Sequence, residues 1–525
     1  MKHILSNILG FLLISNLGFA AEGRPNVIFI FADDLGYGDL GCYGATKVQT
    51  PNIDKLAAEG RRFTDAHSAS AVCTPSRYGL LTGQYPFRAN GGAGIWGPCS
   101  HTQSLLIDTN KLTLGQLFKN KGYATAAVGK WHLGFGEGKT DWNKPLRPGP
   151  QDLGFDYFFG VPKVNSGFPY VYVENDRVVG YDPKDPITFK PPFSTTTTYP
   201  EEAGKKTVNK VGGAKKAHAI YDDEKTGTLL TEKAVAWIEK NKEEPFFLYF
   251  PTTNIHHPFT PAPQFKGTSQ AGLYGDFIHE FDWMVGELMK CLDKNALTEN
   301  TLFIVTSDNG GMFNRGGQDA FKDGHQINAD LLGFKFGVWE GGHRVPFLAK
   351  WPGKIEANTV SDQLISSVDM LATFASLTGQ TVEEKQLADS IDVLPALIGN
   401  PLVSLRETLV LCPNKKTHLS LRKDKWLYIP AQGSGGFRGK PGSHGAGGPA
   451  SVAHVGNKNS DIENGKIKKD APPAQLYDLK ADVNQTKNLY HEHPEVVKEM
   501  AAELKQIRPQ SAAGPKRKRA KKQPT

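Results

Sequence analysis

Cysteine is scarce in this chain. There are five in 525 residues, Cys42, Cys73, Cys99, Cys291 and Cys412, and none form a Cys-x-x-Cys pair. That rules against a zinc ribbon and a thioredoxin-type redox motif. A dense disulfide scaffold is excluded too. In an oxidising compartment at most two bridges could form, and one cysteine would be left over. Beyond the first twenty residues no apolar run is long enough to span a bilayer, so no stable membrane insertion is expected. A one-signed body charge is also missing. The net charge of +7 is concentrated in the last stretch, GPKRKRAKKQPT (Gly514–Thr525), which has no acid. A near-neutral body does not fit a nucleic-acid partner. The tail reads as a solvated, disordered end, with binding of a polyanion as the sharper reading. No internal repeat is visible.

What is present is a long globular chain, with 39% hydrophobic and 22% charged residues, 56 Gly and 34 Pro. Such a length supports more than one core. The N-terminus, MKHILSNILGFLLISNLGFA, has a basic start, a short apolar stretch and small residues at Gly18 and Ala20. It reads as a secretory signal peptide over 1–20, so the mature protein is expected to be secreted or periplasmic.

Strand and helix patterns then alternate. Pro25–Ala32 is a continuous β-branched and aromatic run, expected as a buried parallel strand ending at Asp33-Asp34. Thr50-Pro51 opens a helix to Glu59, and a strand is expected near Arg62–Ala66. Thr113 caps another helix, and TAAVGKWHLG follows as a strand with a polar end. Helices are expected over Thr231–Lys242 and Gly275–Asn295. Between and after them lie the strand segments PFFLYFPTTNIHHP and TLFIVTSDNGG. The expected fold is α/β, with a large, mostly parallel central sheet flanked by helices. Beyond about Leu397 shorter strands appear, at Glu407–Leu411, His418–Arg422, Lys425–Ile429 and Gln475–Leu479, with a helix at Pro494–Ile507. These suggest a smaller α+β subdomain with a short antiparallel sheet. The expected organisation is a leader at 1–20, a catalytic α/β domain at 21–400, the subdomain at 401–510 and the basic tail at 511–525.

Polar residues gather after strand C-termini, the edge where open α/β sheets bind ligands. Asp33 and Asp34 follow one buried strand, and Asp308 and Asn309 follow another. Converging carboxylates repel unless a cation sits among them. An all-oxygen cluster suits Ca²⁺, with Mg²⁺ second, and not zinc.

The segment ASAVCTPSRYGLLTGQ places Cys73 before a helix that Thr74 can cap and Pro75 can open, with Gly83 as its stop. A helix N-terminus favours an anion, and Arg77 in the first turn can reach back. Locally the segment reads either as a low-pKa nucleophilic thiol or as an ordinary buried or bridged cysteine.

Cys73-Thr74-Pro75-Ser76-Arg77, followed by LLTG, resembles the Cys-x-Pro-x-Arg signature of the formylglycine-dependent sulfatases of the alkaline phosphatase superfamily. NVIFIFADDLGYGDLGCYG, GKWHLG, SDNGG, KFGVWEGGHRVP and QLYDLKADVNQTKNL resemble further family segments, in the same order. The resemblance implies an arylsulfatase-like carbohydrate sulfatase in which a maturation enzyme oxidises Cys73 to formylglycine. Asp33, Asp34, Asp308 and Asn309 would hold calcium, with the modified Cys73 touching it. The formylglycine hydrate would attack sulfur and form a covalent sulfo-enzyme, and its second hydroxyl would expel sulfate. Arg77 would steady the hydrate and His132 assist that hydroxyl. Lys130 and Lys335 would grip sulfate, and His256 would protonate the leaving oxygen. His257, His343 and Arg344 are candidate substrate contacts; His257 could instead simply pack and Arg344 make a structural ion pair.

One segment departs from the family. Some members carry a serine two residues after the proline of a Gly-x-Pro turn; here Gly160-Val161-Pro162 is followed by Lys163-Val164, and Asn165 and Ser166 are the candidate substitutes. The expected substrate is a sulfated carbohydrate, selected by polar loops at Val164–Lys216 and Gln432–Lys469. Two other readings stand beside it: a phosphonate or phosphate ester hydrolase of the same superfamily, and a non-catalytic binder of sulfated glycan.

Overall fold

A computed structural model describes residues 24–188 and 212–508, with the backbone of the strands Ser194–Thr198 and Lys206–Lys210 between them. The expected leader, the basic tail and part of the Val164–Lys216 loop lie outside the described residues.

Ten strands form one sheet: β1 (Asn26–Ala32), β2 (Arg61–Phe63), β3 (Ala124–Lys130), β4 (Tyr157–Val161), β5 (Val173–Glu174), β6 (Arg177–Val178), β7 (Phe246–Pro251), β8 (Thr301–Ser307), β9 (Phe347–Lys350) and β10 (Thr359–Ser361). Their order is β10-β2-β9-β8-β1-β7-β3-β4-β5-β6. The centre, β8-β1-β7-β3-β4, is parallel throughout. Antiparallel pairs extend it on both sides, so the sheet is mixed with a parallel heart.

The continuous apolar sequence of β1 follows from its place. Val27, Phe29 and Phe31 point to one core layer, and Ile28, Ile30 and Ala32 to the other. Every β1 residue is buried because helices cover both faces. Helices α2 (Cys73–Thr82), α3 (Leu114–Asn120) and α6 (Met370–Leu377) pack on the first face. Helices α1 (Pro51–Ala58), α4 (Thr226–Lys240) and α5 (Gly272–Lys294) pack on the second. Phe29→Ala would remove a ring packed against Phe31 and Phe374 and cost about 3–5 kcal/mol.

The C-terminal subdomain carries a four-stranded antiparallel sheet, β11 (Thr408–Leu411), β12 (Ser420–Lys423), β13 (Trp426–Ile429) and β14 (Gln475–Asp478). Helix α7 (Pro494–Ile507) covers it through Met500 and Leu504.

The expected elements appear with shifted ends. Helices α4 and α5 begin earlier than their apolar periodicity suggests, at Thr226 and Gly272. The strand expected over Arg62–Ala66 breaks into β2 and the short Ala66–His67 piece. Asp65, at the break, turns its carboxylate to Arg422 of the subdomain. All five cysteines are unpaired, so neither of the two disulfides that the count allowed is formed. No described helix is long and apolar enough to cross a membrane.

Candidate active site

The site lies at the carboxyl edge of the parallel strands. β1 and β8 are neighbours, with Ala32 opposite Ser307, so the residues that follow must meet. Asp308 N donates to Ala32 O (3.0 Å), and Asp34 N to Asp308 Oδ1 (3.2 Å). Asp34 adopts a left-handed backbone (φ 64°), which aspartate tolerates better than most residues. Asn309 Nδ2 donates to Asp34 Oδ1 at 2.9 Å. Carboxylate atoms of Asp33, Asp34 and Asp308 lie within 4.8 Å of one another, fully buried.

Three cations face these three acids. Lys130, the last residue of β3, donates to both oxygens of Asp33 (2.7 and 2.6 Å). Arg77 Nε and Nη2 donate to Asp308 Oδ2 (3.1 and 2.7 Å), and Nη2 lies 3.5 Å from Asp33. Lys335 bonds Asp34. Burial works against the Lys335 ammonium, but Asp34 and its neighbours outweigh it and raise the pKa. Burial raises the Asp308 carboxyl even though Arg77 opposes it.

The cluster fits a hard divalent cation. Its donors are oxygens alone. Asp34 Oδ2 and Asn309 Oδ1 are buried with no hydrogen-bond partner, which is costly unless a cation takes them up.

Cys73 sits beside this cluster; the expected cap fails, and of its two local readings the buried cysteine holds. Helix α2 starts at Cys73 itself with Val72 as N-cap, so the cysteine is the first helical residue and Thr74 is no cap. The Thr74 hydroxyl is used elsewhere: it donates to His132 O (3.0 Å) and accepts from Cys99 N (3.0 Å). Nor is the thiol acidified. Burial raises its pKa, and Lys130 and Lys335 fail to offset that because Asp308 and Asp33 stand next to them. As a thiol, Cys73 is a weak nucleophile.

The histidines divide into two groups. His132, in a left-handed conformation, is buried with both ring nitrogens unpartnered. Burial, then Lys130 and Arg77, hold it well below the usual histidine range. His256 Nε2 is 3.8 Å from Asp34 Oδ2, and its Nδ1 pairs with His257 O at 2.5 Å. Burial, then His257, Lys335 and Lys130, keep it neutral. His257 stacks on His256, with ring centroids 4.3 Å apart. Thus Asp33, Asp34, Cys73, Arg77, Lys130, His132, His256, His257, Asp308, Asn309 and Lys335 are brought together.

His343 and Arg344 are not. His343 Nδ1 meets His67 Nδ1 (2.9 Å) and its Nε2 meets Val338 O (2.9 Å); burial pushes its pKa down to about 4. Arg344 bonds Glu340 and Thr64 O. Both belong to a buried network that Asp65 and Arg422 tie to the subdomain. Asn165 and Ser166 are also spent internally, on Thr260 and Asp223.

Two residues absent from the sequence-derived site complete its outer wall. His444, in the glycine-rich loop of the subdomain, meets the His257 ring edge-on at 4.3 Å. Phe437, in the same loop, packs on Phe336 at 4.1 Å, beside Val72, Cys73 and Met312. A histidine among so many glycines was the available signal. A surface cleft of about 810 Å³ lies elsewhere, among Lys55, Glu59, Asp293 and Lys350 at the opposite end of the strands.

The sulfatase family profile matches residues 25–380. The chain belongs to the sulfatase family. It is 40% identical over 512 residues to an N-acetylgalactosamine-6-O-sulfatase of Bacteroides thetaiotaomicron, covering 92% of this chain and 93% of that one. A canine N-acetylgalactosamine-6-sulfatase is 33% identical over 415 residues, covering 74% and 70%. A solved Bacteroides thetaiotaomicron sulfatase, described in work on the metabolism of multiple glycosaminoglycans, superposes with a TM-score of 0.79 at 37% identity, covering 92% of this chain and 99% of that one. This sulfatase hydrolyses sulfate esters.

Proposed function

We propose that this sulfatase is exported, binds calcium, carries formylglycine at position 73 and removes 6-O-sulfate from N-acetylgalactosamine units of a sulfated glycan. The relatives' printed activities support the sugar and the position. The leader-like N-terminus supports secretion or a periplasmic location. The observation that carries the chemistry is the surroundings of Cys73, a buried and unacidified thiol between two lysines and three carboxylates. A thiol there does little; an oxidised side chain has a role.

In this reading Asp33, Asp34, Asp308 and Asn309 hold the calcium, which supplies positive charge to the sulfate oxygens. Formylglycine, when hydrated, supplies one hydroxyl for attack and a second whose deprotonation releases sulfate. The maturation enzyme that makes it reads the Cys73-Thr74-Pro75-Ser76-Arg77 stretch. The rest falls to this chain's own side chains. Lys130 and Lys335, which here bond Asp33 and Asp34, would stabilise charge on the sulfate oxygens. Arg77 stays on Asp308 and fixes its orientation. His132, neutral and unpartnered, accepts a proton at a ring nitrogen. His256 delivers one to the leaving sugar oxygen, because an alkoxide is a poor leaving group. Its neutral resting state means that the bound anion must first raise its pKa.

Mass spectrometry of the tryptic peptide containing Cys73, from protein made in its native host, tests the modification. Formylglycine is expected, and an alkylatable thiol would remove the mechanism. Turnover of aryl sulfate against aryl phosphate and phosphonate separates this reading from a phosphoester hydrolase. Sulfate release from a sulfated sugar separates it from a glycan binder.

A further inference from the structure

One side of the pocket carries positive charge that the acidic cluster does not balance. Arg77, Lys130 and Lys335 each face a carboxylate. Among the described residues Lys163 and Lys139 have no carboxylate within ion-pair distance. Backbone bonds fix where Lys163 stands. Trp131 N donates to Val161 O and His132 N to Pro162 O, both at 3.1 Å, so Lys163 leaves β4 directly beside His132. Asn165 and Ser166 then pin the loop to Thr260 and Asp223. The Phe168 ring meets His101, with centroids 4.6 Å apart. His101 in turn follows Cys99, whose N–H is held by Thr74 of the Cys73 helix. Lys163 and His101 therefore stand on segments tied to His132 and to the Cys73 helix, next to each other through Phe168. The charge of Lys163 is felt at His132, His257, Cys99 and His101. At His101 burial, then Lys163 and Lys139, lower the pKa together.

Lys163 is partly buried beside His132 with no carboxylate partner among the described residues, which leaves its ammonium available to an anion. We propose that Lys163, with the His101 ring, forms a second anion subsite that takes a carboxylate or further sulfate of the substrate, distinct from the ester being cleaved. The ammonium offers a point charge and three donors, which suit the oxygens of either group. The inference rests on the sulfatase reading and narrows its substrate to a multiply anionic glycan.

The test uses matured, calcium-loaded enzyme and three 6-sulfated N-acetylgalactosamine substrates: the plain monosaccharide, a disaccharide with a uronate neighbour, and the 4,6-disulfated sugar. At least one anionic substrate should show about tenfold higher kcat/KM than the plain one, mostly through KM. Lys163→Met should cut that preference by about tenfold, and Lys163→Arg should keep it. The substrate that shows the preference identifies the anionic group. No preference in the wild type, or a preference that Lys163→Met leaves intact, overturns the proposal. Failure of the underlying reading looks different, as no turnover of any sulfate ester. In that event calorimetric titration with the uronate disaccharide reads the subsite alone, and equal affinity of wild type and Lys163→Met would overturn it.

Discussion

Arg77 Nε and Nη2 both donate to one oxygen of Asp308, at 3.1 and 2.7 Å, with every side-chain atom of the pair buried. The guanidinium also donates to Lys130 O at 3.2 Å, so one side chain ties β3, β8 and α2 together under Cys73. Arg77→Ala leaves Asp308 and Asp33 without a main counter-charge and should cost about 3–5 kcal/mol of stability in urea unfolding. Arg77→Lys keeps charge but loses the fork, and should recover part of that stability. Sulfate ester turnover should fall about a hundredfold or more in Arg77→Ala. Wild-type stability in that variant would show that the pair is energetically idle.

The acids and bases of the inner site balance without a metal: Asp33, Asp34 and Asp308 against Lys130, Arg77 and Lys335. Calcium removal should therefore leave the protein folded while turnover disappears. Restoring calcium at a hundred times its Kd should add about 2.7 kcal/mol to stability, seen as a higher Tm in scanning calorimetry. Magnesium, which demands tighter octahedral geometry, should restore less. Asp34→Asn should weaken the calcium response without unfolding the chain. Unfolding on chelation would contradict the balance of charges.

Much of this was legible because strand ends are local features. The apolar runs of β1 and β8 announce buried parallel strands, and the residues that follow them must share an edge once the strands are neighbours. Helix ends were less legible. Thr74 looks like a cap, but its hydroxyl is taken by His132 and Cys99, both distant in sequence. The two local readings of Cys73 stayed open for the same reason: a helix start is a local cue, whereas burial and the opposing carboxylates, which raise its pKa, are tertiary. His343 and Arg344 lie in a family-like stretch, yet a network reaching to Arg422 absorbs them. His444 reaches the site because the glycine-rich loop folds back onto His257, and no periodicity reports that.

His256 is placed to serve the leaving group, so its loss should depend on what leaves. His256→Asn should slow a sugar sulfate by about 10²–10⁴-fold, the range of general acid catalysis. A nitrophenyl sulfate, whose phenolate leaves unaided, should lose far less. Measuring kcat for a series of aryl sulfates should give a steeper dependence on leaving-group acidity in the variant. Equal losses across the series would assign His256 to binding instead.

Glu280, in the middle of α5, supports the same loop from behind. Its Oε2 accepts from Asn254 Nδ2 at 3.0 Å, and Asn254 O accepts from Asp33 N at 2.9 Å. Ile255 N bonds Asp33 O at 2.6 Å, so the carboxyl underpins both Asp33 and the His256 segment. Burial pushes the Glu280 pKa up to about 8, only partly opposed by Asn254. The sign follows from proton counting. Between about pH 4.5 and 8 the unfolded chain has lost this proton and the native protein keeps it, so stability falls as pH rises and levels off above 8. The gap corresponds to roughly 4–5 kcal/mol across that window. Glu280→Gln, which is neutral and similar in shape, should flatten this slope and raise stability at pH 8 relative to wild type. Urea titrations at pH 5, 6.5 and 8 read the effect directly, and parallel pH profiles for the two proteins would mean that Glu280 is ionised in the native state.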